Sequence, residues 1–239
     1  MDNYNRNYNY SQELVDMTTA FPKLMRSVYA WMCAGLAMTA LTALTVAKSS
    51  ELVMALASNS LLFWMLMIAE LGLVFYLSAR INKMSFVTAG VCFAIYAILN
   101  GVTMSFLFFA YTMESITSTF AITAGTFGAM SLFGYFTKKD LSSFGGLFVM
   151  ALVGIIIASI VNIFVASSTL GMILNYGGVL LFVGITAYDV QKIKVMLTQA
   201  AEAGVTDQTQ KIALMGSLSL YLDFINLFLY LIRILGDRK

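Results

Sequence analysis

The stretch that decides the fold is residues 141–188, LSSFGGLFVMALVGIIIASIVNIFVASSTLGMILNYGGVLLFVGITAY, which runs for 48 residues without a charged side chain. A membrane-spanning helix needs about 20 mostly apolar residues, so this run is long enough for two helices. The short polar segment at residues 166–171, ASSTLG, falls between its halves and indicates a turn. The sequence therefore predicts a pair of membrane helices joined by a short loop.

The composition extends this prediction to the whole chain. Of the 239 residues, 60% are hydrophobic and 11% are charged, whereas water-soluble domains carry about 25% charged residues. With the charges taken as boundaries, the other spans are residues 28–47, 52–79, 84–113, 115–137 and 212–235. The chain is therefore predicted to be an all-α integral membrane protein, a bundle of seven transmembrane helices.

The ends of the chain differ from its centre. Residues 1–26 are polar and rich in Asn and Tyr, and they are predicted to form a mobile tail that ends at Pro22, before one transmembrane domain at residues 27–239. A cytoplasmic N-terminus places ten of the 14 Lys and Arg residues in the cytoplasm, as the positive-inside rule favours. Arg233, Arg238 and Lys239 then fall on the other side, so the last helix either crosses because packing holds it or is re-entrant.

The residue types exclude several kinds of chemistry. The chain contains no histidine, which excludes His-ligated zinc, Ser-His catalysis and an imidazole pH switch. Its two cysteines, Cys33 and Cys92, lie in apolar segments and indicate no disulfide framework. No nucleotide fingerprint and no basic aromatic patch occurs, so we expect neither a cofactor nor a nucleic-acid partner. Proton chemistry must then use carboxylates, Lys or Tyr.

Ionisable residues inside the spans are the main functional candidates. One charge at the bilayer centre costs about 2.5 to 3.5 kcal/mol, so such residues are rarely kept without a function. Glu70, Asp189, Asp223 and Arg233 meet this criterion, and Arg80 lies at a helix end. Small and polar residues also recur every three or four positions on one face of the last span: Gly216, Ser219, Asp223, Asn226, Tyr230 and Arg233. This stripe should face the bundle centre or water, although its neutral members are also suited to joining helices.

Asp189 and Asp223 form the predicted site. Taken alone, Asp189 ends the sixth helix and could simply pair with Lys192. Two carboxyl groups on neighbouring helices cannot both ionise without a large energetic cost when their surroundings have a low dielectric constant. They would therefore share one proton and respond to pH without histidine. Counting along the helices puts Asp223 about 10 Å deeper than Asp189, so the pair requires tilt or a last helix that begins below the membrane.

The charged residues also suggest two layers. Glu70 lies ten residues before Arg80, and Arg233 lies ten residues after Asp223. Because the two helices run in opposite directions, each step of about 15 Å leads toward the same side of the membrane. The hypothesis is an inner layer of Asp189, Asp223 and Arg80 and an outer pair of Glu70 with Arg233.

Two segments carry a family resemblance. Residues 217–236, SLSLYLDFINLFLYLIRILG, and 187–193, AYDVQKI, resemble the Bax inhibitor-1 family of transmembrane proteins, as do Glu70 with residues 76–80 and residues 137–141, TKKDL. The likeness spans residues 25–235. It implies a seven-helix bundle with a central C-terminal helix and a pH-sensitive calcium leak. It also implies a sensor made of Asp189 and Asp223, with Arg80 as a latch.

Three functions remain open at this point. The first is a proton-gated calcium pathway, in which Asp189 and Asp223 would hold calcium transiently with water and backbone carbonyls, and whose partners are membrane lipids, calcium and protons. The second is a non-enzymatic regulator of a membrane protease or of a cell-death or stress pathway, which rests on the resemblance. The third is an intramembrane aspartyl protease, which Tyr221 and Leu222 disfavour because that class has a glycine beside its second aspartate. The expected location is a bacterial inner membrane, with the N-terminus in the cytoplasm.

Overall fold

The computed structural model of the chain describes residues 2–239, without the side chains of residues 2–17, 50, 56, 57 and 82. Nearly all of this backbone is helical, as lipid requires, because a helix satisfies its own backbone hydrogen bonds. The helices of the described residues are α1 (Asp2–Lys48), α2 (Ser50–Ser58), α3 (Ser60–Arg80), α4 (Phe86–Met104), α5 (Leu107–Ala110), α6 (Met113–Phe136), α7 (Gly145–Val165), α8 (Ser168–Ala200) and α9 (Asp207–Leu235).

Seven helical segments of the described chain are long and apolar enough to cross a membrane. They are Thr18–Lys48, Ser60–Arg80, Phe86–Ala110, Met113–Phe136, Ser142–Val165, Ser168–Ala203 and Asp207–Leu235. The predicted all-α membrane protein with seven spans is thereby confirmed. In α9, 67% of the residues in the apolar stretch are buried, against at most 33% in the other spans, as expected of a central C-terminal helix. Because α9 is continuous over 29 residues, it contains no turn that a re-entrant segment would need.

Two of the predicted spans are interrupted in the structure. Residues 52–79 were predicted as one helix, but the structure ends α2 at Ser58 and begins α3 at Ser60. Between them, Asn59 caps α3, since its side-chain oxygen accepts a hydrogen bond from the Leu62 N–H at 3.2 Å. The third span, predicted as residues 84–113, ends at Ala110 and is interrupted after Met104.

The N-terminal helix reaches into the predicted tail. Residues 1–17 of that tail lie outside the described side chains, but α1 continues through Pro22. Ala20, Leu24 and Met25 are buried, so packing begins before Arg26. The division of the chain at residue 26 remains a prediction.

The chain forms two compact units. The first unit is Met1–Phe106 with Ile193–Ser219, and the second unit is Leu107–Lys192 with Leu220–Lys239. In the first unit, Trp31 of α1 contacts Phe93 of α4 edge to face at 6.2 Å between ring centroids. The Thr39 hydroxyl donates a hydrogen bond to the Ala97 carbonyl at 2.9 Å. Aromatic and small polar side chains thus join α1 to α4.

The second unit brings α6 close to both α8 and α9. Gly134 of α6 lies directly against the backbone of Ala187 on α8, where a Cβ atom would collide. On α9, the Phe224 ring packs between Phe120 and Phe127 of α6, with centroid distances of 5.3 and 5.5 Å. Small residues permit such close helix contacts in membranes.

Replacing Gly134 with alanine should therefore destabilise the second unit. We expect Gly134→Ala to lower the free energy of unfolding by about 1 to 3 kcal/mol, because the new methyl group would force α6 and α8 apart. The measurement is unfolding by sodium dodecyl sulfate from uncharged detergent micelles. Gly125→Ala, on the same helix with nothing within 4 Å of the new Cβ, should be neutral or stabilising by up to about 1 kcal/mol. Equal stability of the two variants would contradict the close contact.

Candidate functional site

Asp223 is a buried carboxyl group with an incomplete set of hydrogen bonds. It lies on α9 in the second unit, where the residue is 4% exposed. Its Oδ2 atom accepts no hydrogen bond from any described residue. A buried polar atom without a partner costs about 1 to 3 kcal/mol. A chain that retains such a group on its most buried helix is expected to use it.

The structure places Asp189 in the same unit as Asp223. Asp189 is half-buried on α8, and the two carboxyl groups are close enough to interact electrostatically. Lys192, one turn further along α8, also interacts electrostatically with Asp189. The predicted pair is therefore brought together, while its role as a proton sensor remains a prediction.

The two helices carry the aspartates differently from what the sequence indicated. Asp189 was predicted to end the sixth helix, but α8 continues to Ala200. The chain first leaves the helical region at Gly204, whose φ of +70° suits glycine. At the other end of the loop, α9 begins at Asp207 rather than at residue 212. An earlier start of the last helix is one of the two conditions under which the two carboxyl groups were expected to meet.

The polar stripe on α9 makes contacts within its own helix and with α8. The Asn226 amide donates a hydrogen bond to the Leu222 carbonyl of its own helix at 2.8 Å. The Tyr230 ring stacks on Phe182 at 5.8 Å, and the Arg233 guanidinium lies 5.6 Å from the Tyr230 ring centroid. Ser219 is half-buried in the first unit. These contacts fit the interpretation that the neutral stripe residues stabilise helix packing.

Glu70 belongs to a second buried polar cluster, in the first unit. Glu70 is 8% exposed and accepts a hydrogen bond from the Thr103 hydroxyl. The Asn100 amide donates to the Tyr96 hydroxyl at 3.4 Å, and Asn100 Oδ1 accepts no hydrogen bond from the described residues. Tyr96 was not predicted from the sequence to belong to a site, although positions 96, 100 and 103 share one helical face.

In the predicted latch and in the predicted outer pair, the partner residues belong to different units. Arg80 is exposed at the end of α3 in the first unit, whereas both aspartates belong to the second. Glu70 is likewise in the first unit and Arg233 in the second. Both pairings remain predictions.

The loop between α6 and α7 is attached to α8 beside Asp189. Gln191 accepts a hydrogen bond from the Leu141 N–H at 2.7 Å and donates one to the Lys139 carbonyl at 2.9 Å. Within the loop, the backbone N–H of Ser142 donates to Asp140, and this bond holds the pKa of the exposed Asp140 carboxyl below its ordinary value. Gln191 was not singled out from the sequence, because a glutamine at a helix end is usually just solvated.

The acidic residues do not form a storage site for metal in the described part of the chain. No three Cys, Asp or Glu side chains converge there. Calcium takes about six to eight oxygen ligands, and two carboxyl groups supply at most four. Any calcium at Asp189 and Asp223 would need water and backbone oxygens as well.

These features define an all-α integral membrane protein with seven candidate spans and carboxyl groups buried within its helical units. The sequence model of the family described as "Inhibitor of apoptosis-promoting Bax1" matches residues 22–239. The chain belongs to this family, the Bax inhibitor-1 family, as the resemblance indicated.

Relatives of similar length support the assignment. The chain is 46% identical over 229 residues to the inner membrane protein YbhL of Escherichia coli (strain K12), covering 96% of this chain and 97% of YbhL. It is 43% identical over 228 residues to a protein of Deinococcus radiodurans, with 95% and 94% covered. A protein of Borreliella burgdorferi is 43% identical over 217 residues, with 91% and 93% covered.

The hydrogen bond to Glu70 gives a test of the cluster in the first unit. We expect Thr103→Val to lower the free energy of unfolding by about 1 to 3 kcal/mol, because it leaves the buried Glu70 carboxyl without this donor. The control is Thr45→Val, since the exposed Thr45 hydroxyl donates to the Leu41 carbonyl of its own helix and bonds to no other described residue. Its effect should stay within about 0.5 kcal/mol. Equal losses in the two variants, measured by detergent unfolding, would show that Thr103 does not support Glu70.

Proposed function

We propose that the protein is a proton-gated calcium leak pathway with no enzymatic activity, and that Asp189 and Asp223 are its proton sensor. The observation that carries the proposal is the buried Asp223 carboxyl, which has one oxygen without a hydrogen-bond donor and a second carboxyl within electrostatic range. Structural aspartates in membrane helices are normally paired with cations or donors. A pair of acidic groups in this setting is suited to exchanging a proton.

The gating step follows from the charge of the pair. With one shared proton the two carboxyl groups keep one negative charge, and a second proton removes it. Loss of that charge ends the attraction between the pair and its cationic partner. The family resemblance implies that this partner is Arg80. The helix that carries Asp223 is α9, so the proton would act directly on the most buried helix of the chain.

The pair would bind calcium in transit rather than store it. Two carboxyl groups supply too few oxygens for tight calcium binding, so water and backbone carbonyls complete the shell and the ion leaves readily. No cofactor takes part in this proposal; lipids, calcium and protons are the partners. The name of YbhL places that relative in an inner membrane, and we propose the same location here, with the N-terminus in the cytoplasm.

The two alternatives have less support. A regulator of a membrane protease or of a stress pathway rests on the family resemblance, and it is compatible with a leak. An aspartyl protease would also use two carboxyl groups sharing a proton, but Leu222 and Tyr221 occupy the positions before Asp223 where that class has glycine. Cleavage of a helical membrane substrate that Asp223→Asn abolishes would favour the protease over the leak.

The leak can be measured in vesicles that contain the purified protein and a calcium indicator. Lowering the pH from about 8 to about 6 favours the doubly protonated, uncharged pair and should raise calcium flux several-fold. Asp223→Asn should abolish this dependence, because the amide does not titrate, and Asp189→Asn should reduce it.

Asp140→Asn is the matched control, since Asp140 is an exposed carboxyl whose pKa is held low by the Ser142 N–H. It should retain the full pH response. A second readout is the infrared carbonyl band of a protonated carboxylic acid, expected near neutral pH in the wild type and weakened in Asp223→Asn. An unchanged pH response of flux in Asp223→Asn would refute the sensor.

A further inference from the structure

A cavity of about 510 Å³ lies at the end of the second unit opposite the α6–α7 loop. Its walls come from the end of α7, the start of α8 and the end of α9. The described residues that line it include Asn162, Asn175, Arg233 and Arg238, and none of these lining residues is acidic. The cavity thus gathers positive charge and amide groups, which suits an anion.

The two arginines that line the cavity are not neutralised within the described part of the chain. Neither guanidinium group donates a hydrogen bond there or forms an ion pair. Arg233 rests on the Tyr230 ring, 5.6 Å from its centroid, which orients the guanidinium without using its N–H donors. Arginine has five N–H donors in a fixed fork that matches phosphate geometry.

Asn162 directs a further donor to the cavity wall. Its side-chain oxygen accepts a hydrogen bond from the Ser167 N–H at 3.1 Å, so the amide NH₂ is the end that remains. That nitrogen donates no hydrogen bond to any described residue, and it lies 3.4 Å from the position that a Cβ of Gly171 would take. Beside it, Ala166 has a left-handed backbone with φ of 50°, an uncommon conformation for alanine that keeps this turn tight.

Arg238 is positioned by a fixed C-terminal segment. The Thr112 N–H donates to the Asp237 carbonyl at 3.2 Å, and the Lys239 N–H donates to the Ala110 carbonyl at 3.1 Å. The Asp237 N–H donates in turn to the Ser115 hydroxyl at 3.0 Å. These bonds attach the segment to the end of α5 and the start of α6, so Arg238 reaches the cavity from a backbone that is held in place.

We propose that this cavity binds a phosphate-bearing anion, either inorganic phosphate or the headgroup of an anionic phospholipid, through Arg233 and Arg238. Its position at the ends of three spans is the depth at which headgroups lie. Phe164 and Ile173 are apolar side chains, 84% and 63% exposed, that lie within two residues of lining residues in the sequence, and they give acyl chains a surface beside the cavity. The site is separate from the Asp189–Asp223 pair, since Arg233 lies ten residues along α9 from Asp223, or about 15 Å.

Binding can be tested on the full chain in uncharged detergent. The probes are sodium phosphate at constant ionic strength and short-chain phosphatidylglycerol, with short-chain phosphatidylcholine for comparison. Ligand that binds the folded protein raises its thermal unfolding midpoint in a saturable manner. A rise with phosphatidylglycerol alone would identify a lipid headgroup, and a rise with phosphate as well would identify the phosphate group as sufficient. No saturable rise with either probe would overturn the proposal.

Variants separate this cavity from general charge effects. Arg233→Gln with Arg238→Gln should weaken binding by about tenfold per arginine, because each charge-assisted hydrogen bond is lost. The matched control is Lys138→Gln with Lys139→Gln, which removes two exposed charges at the opposite end of the same unit and should leave binding unchanged. If the double arginine variant does not fold, the two single variants replace it. Wild-type affinity in the arginine variants would refute the site.

Discussion

The exclusion of water from one carboxyl group is the constraint on which the rest of the structure depends. Asp223 lies on the most buried helix, and one of its oxygens receives no hydrogen bond from the described residues. In surroundings of low dielectric a lone carboxylate is costly, so the group must take up a proton or interact with a partner. Asp189 is its acidic neighbour, and Phe224, the next residue along α9, packs against Phe120 of α6. The helix packing of this unit therefore determines the surroundings of the Asp223 carboxyl group.

The membrane spans were predictable because charge is so costly in lipid. Long apolar runs with few charges identified all seven candidate spans, and the polar break at residues 166–171 divided the longest run where α7 ends and α8 begins. The helix boundaries that were predicted incorrectly lie where the cost of placing charge in lipid does not determine the structure. Asn59 ends one helix and caps the next without adding charge, so no boundary was visible there. Beyond Asp189, α8 continues into a polar segment where helix propensity and packing decide the end, and apolar length gives no information.

The candidate site was predictable only in part, for a related reason. Glu70, Asp189 and Asp223 stand out in the sequence because each interrupts an apolar run. Their neutral partners do not, since Thr, Asn and Tyr are common in membrane helices. Whether such a side chain joins a carboxyl group depends on the rotation and register of two helices. The Thr103 hydroxyl meets Glu70 from a helix 33 positions away, and that register is visible only in three dimensions.

Arg233, in the last turn of α9, and Arg238, just after α9, depart from the general charge rule of membrane proteins. Lys and Arg are enriched on the cytoplasmic side of membrane proteins, and a cytoplasmic N-terminus places Arg233 and Arg238 on the other side. Arg238 is not on a free end, because the Thr112 N–H donates to the Asp237 carbonyl and the Lys239 N–H donates to the Ala110 carbonyl at the end of α5. Ordering a backbone costs about 1 to 2 kcal/mol per residue. Cations that are held in place without acidic partners in the described chain form a site that an anion would complete, and such a ligand would account for positive charge where insertion disfavours it.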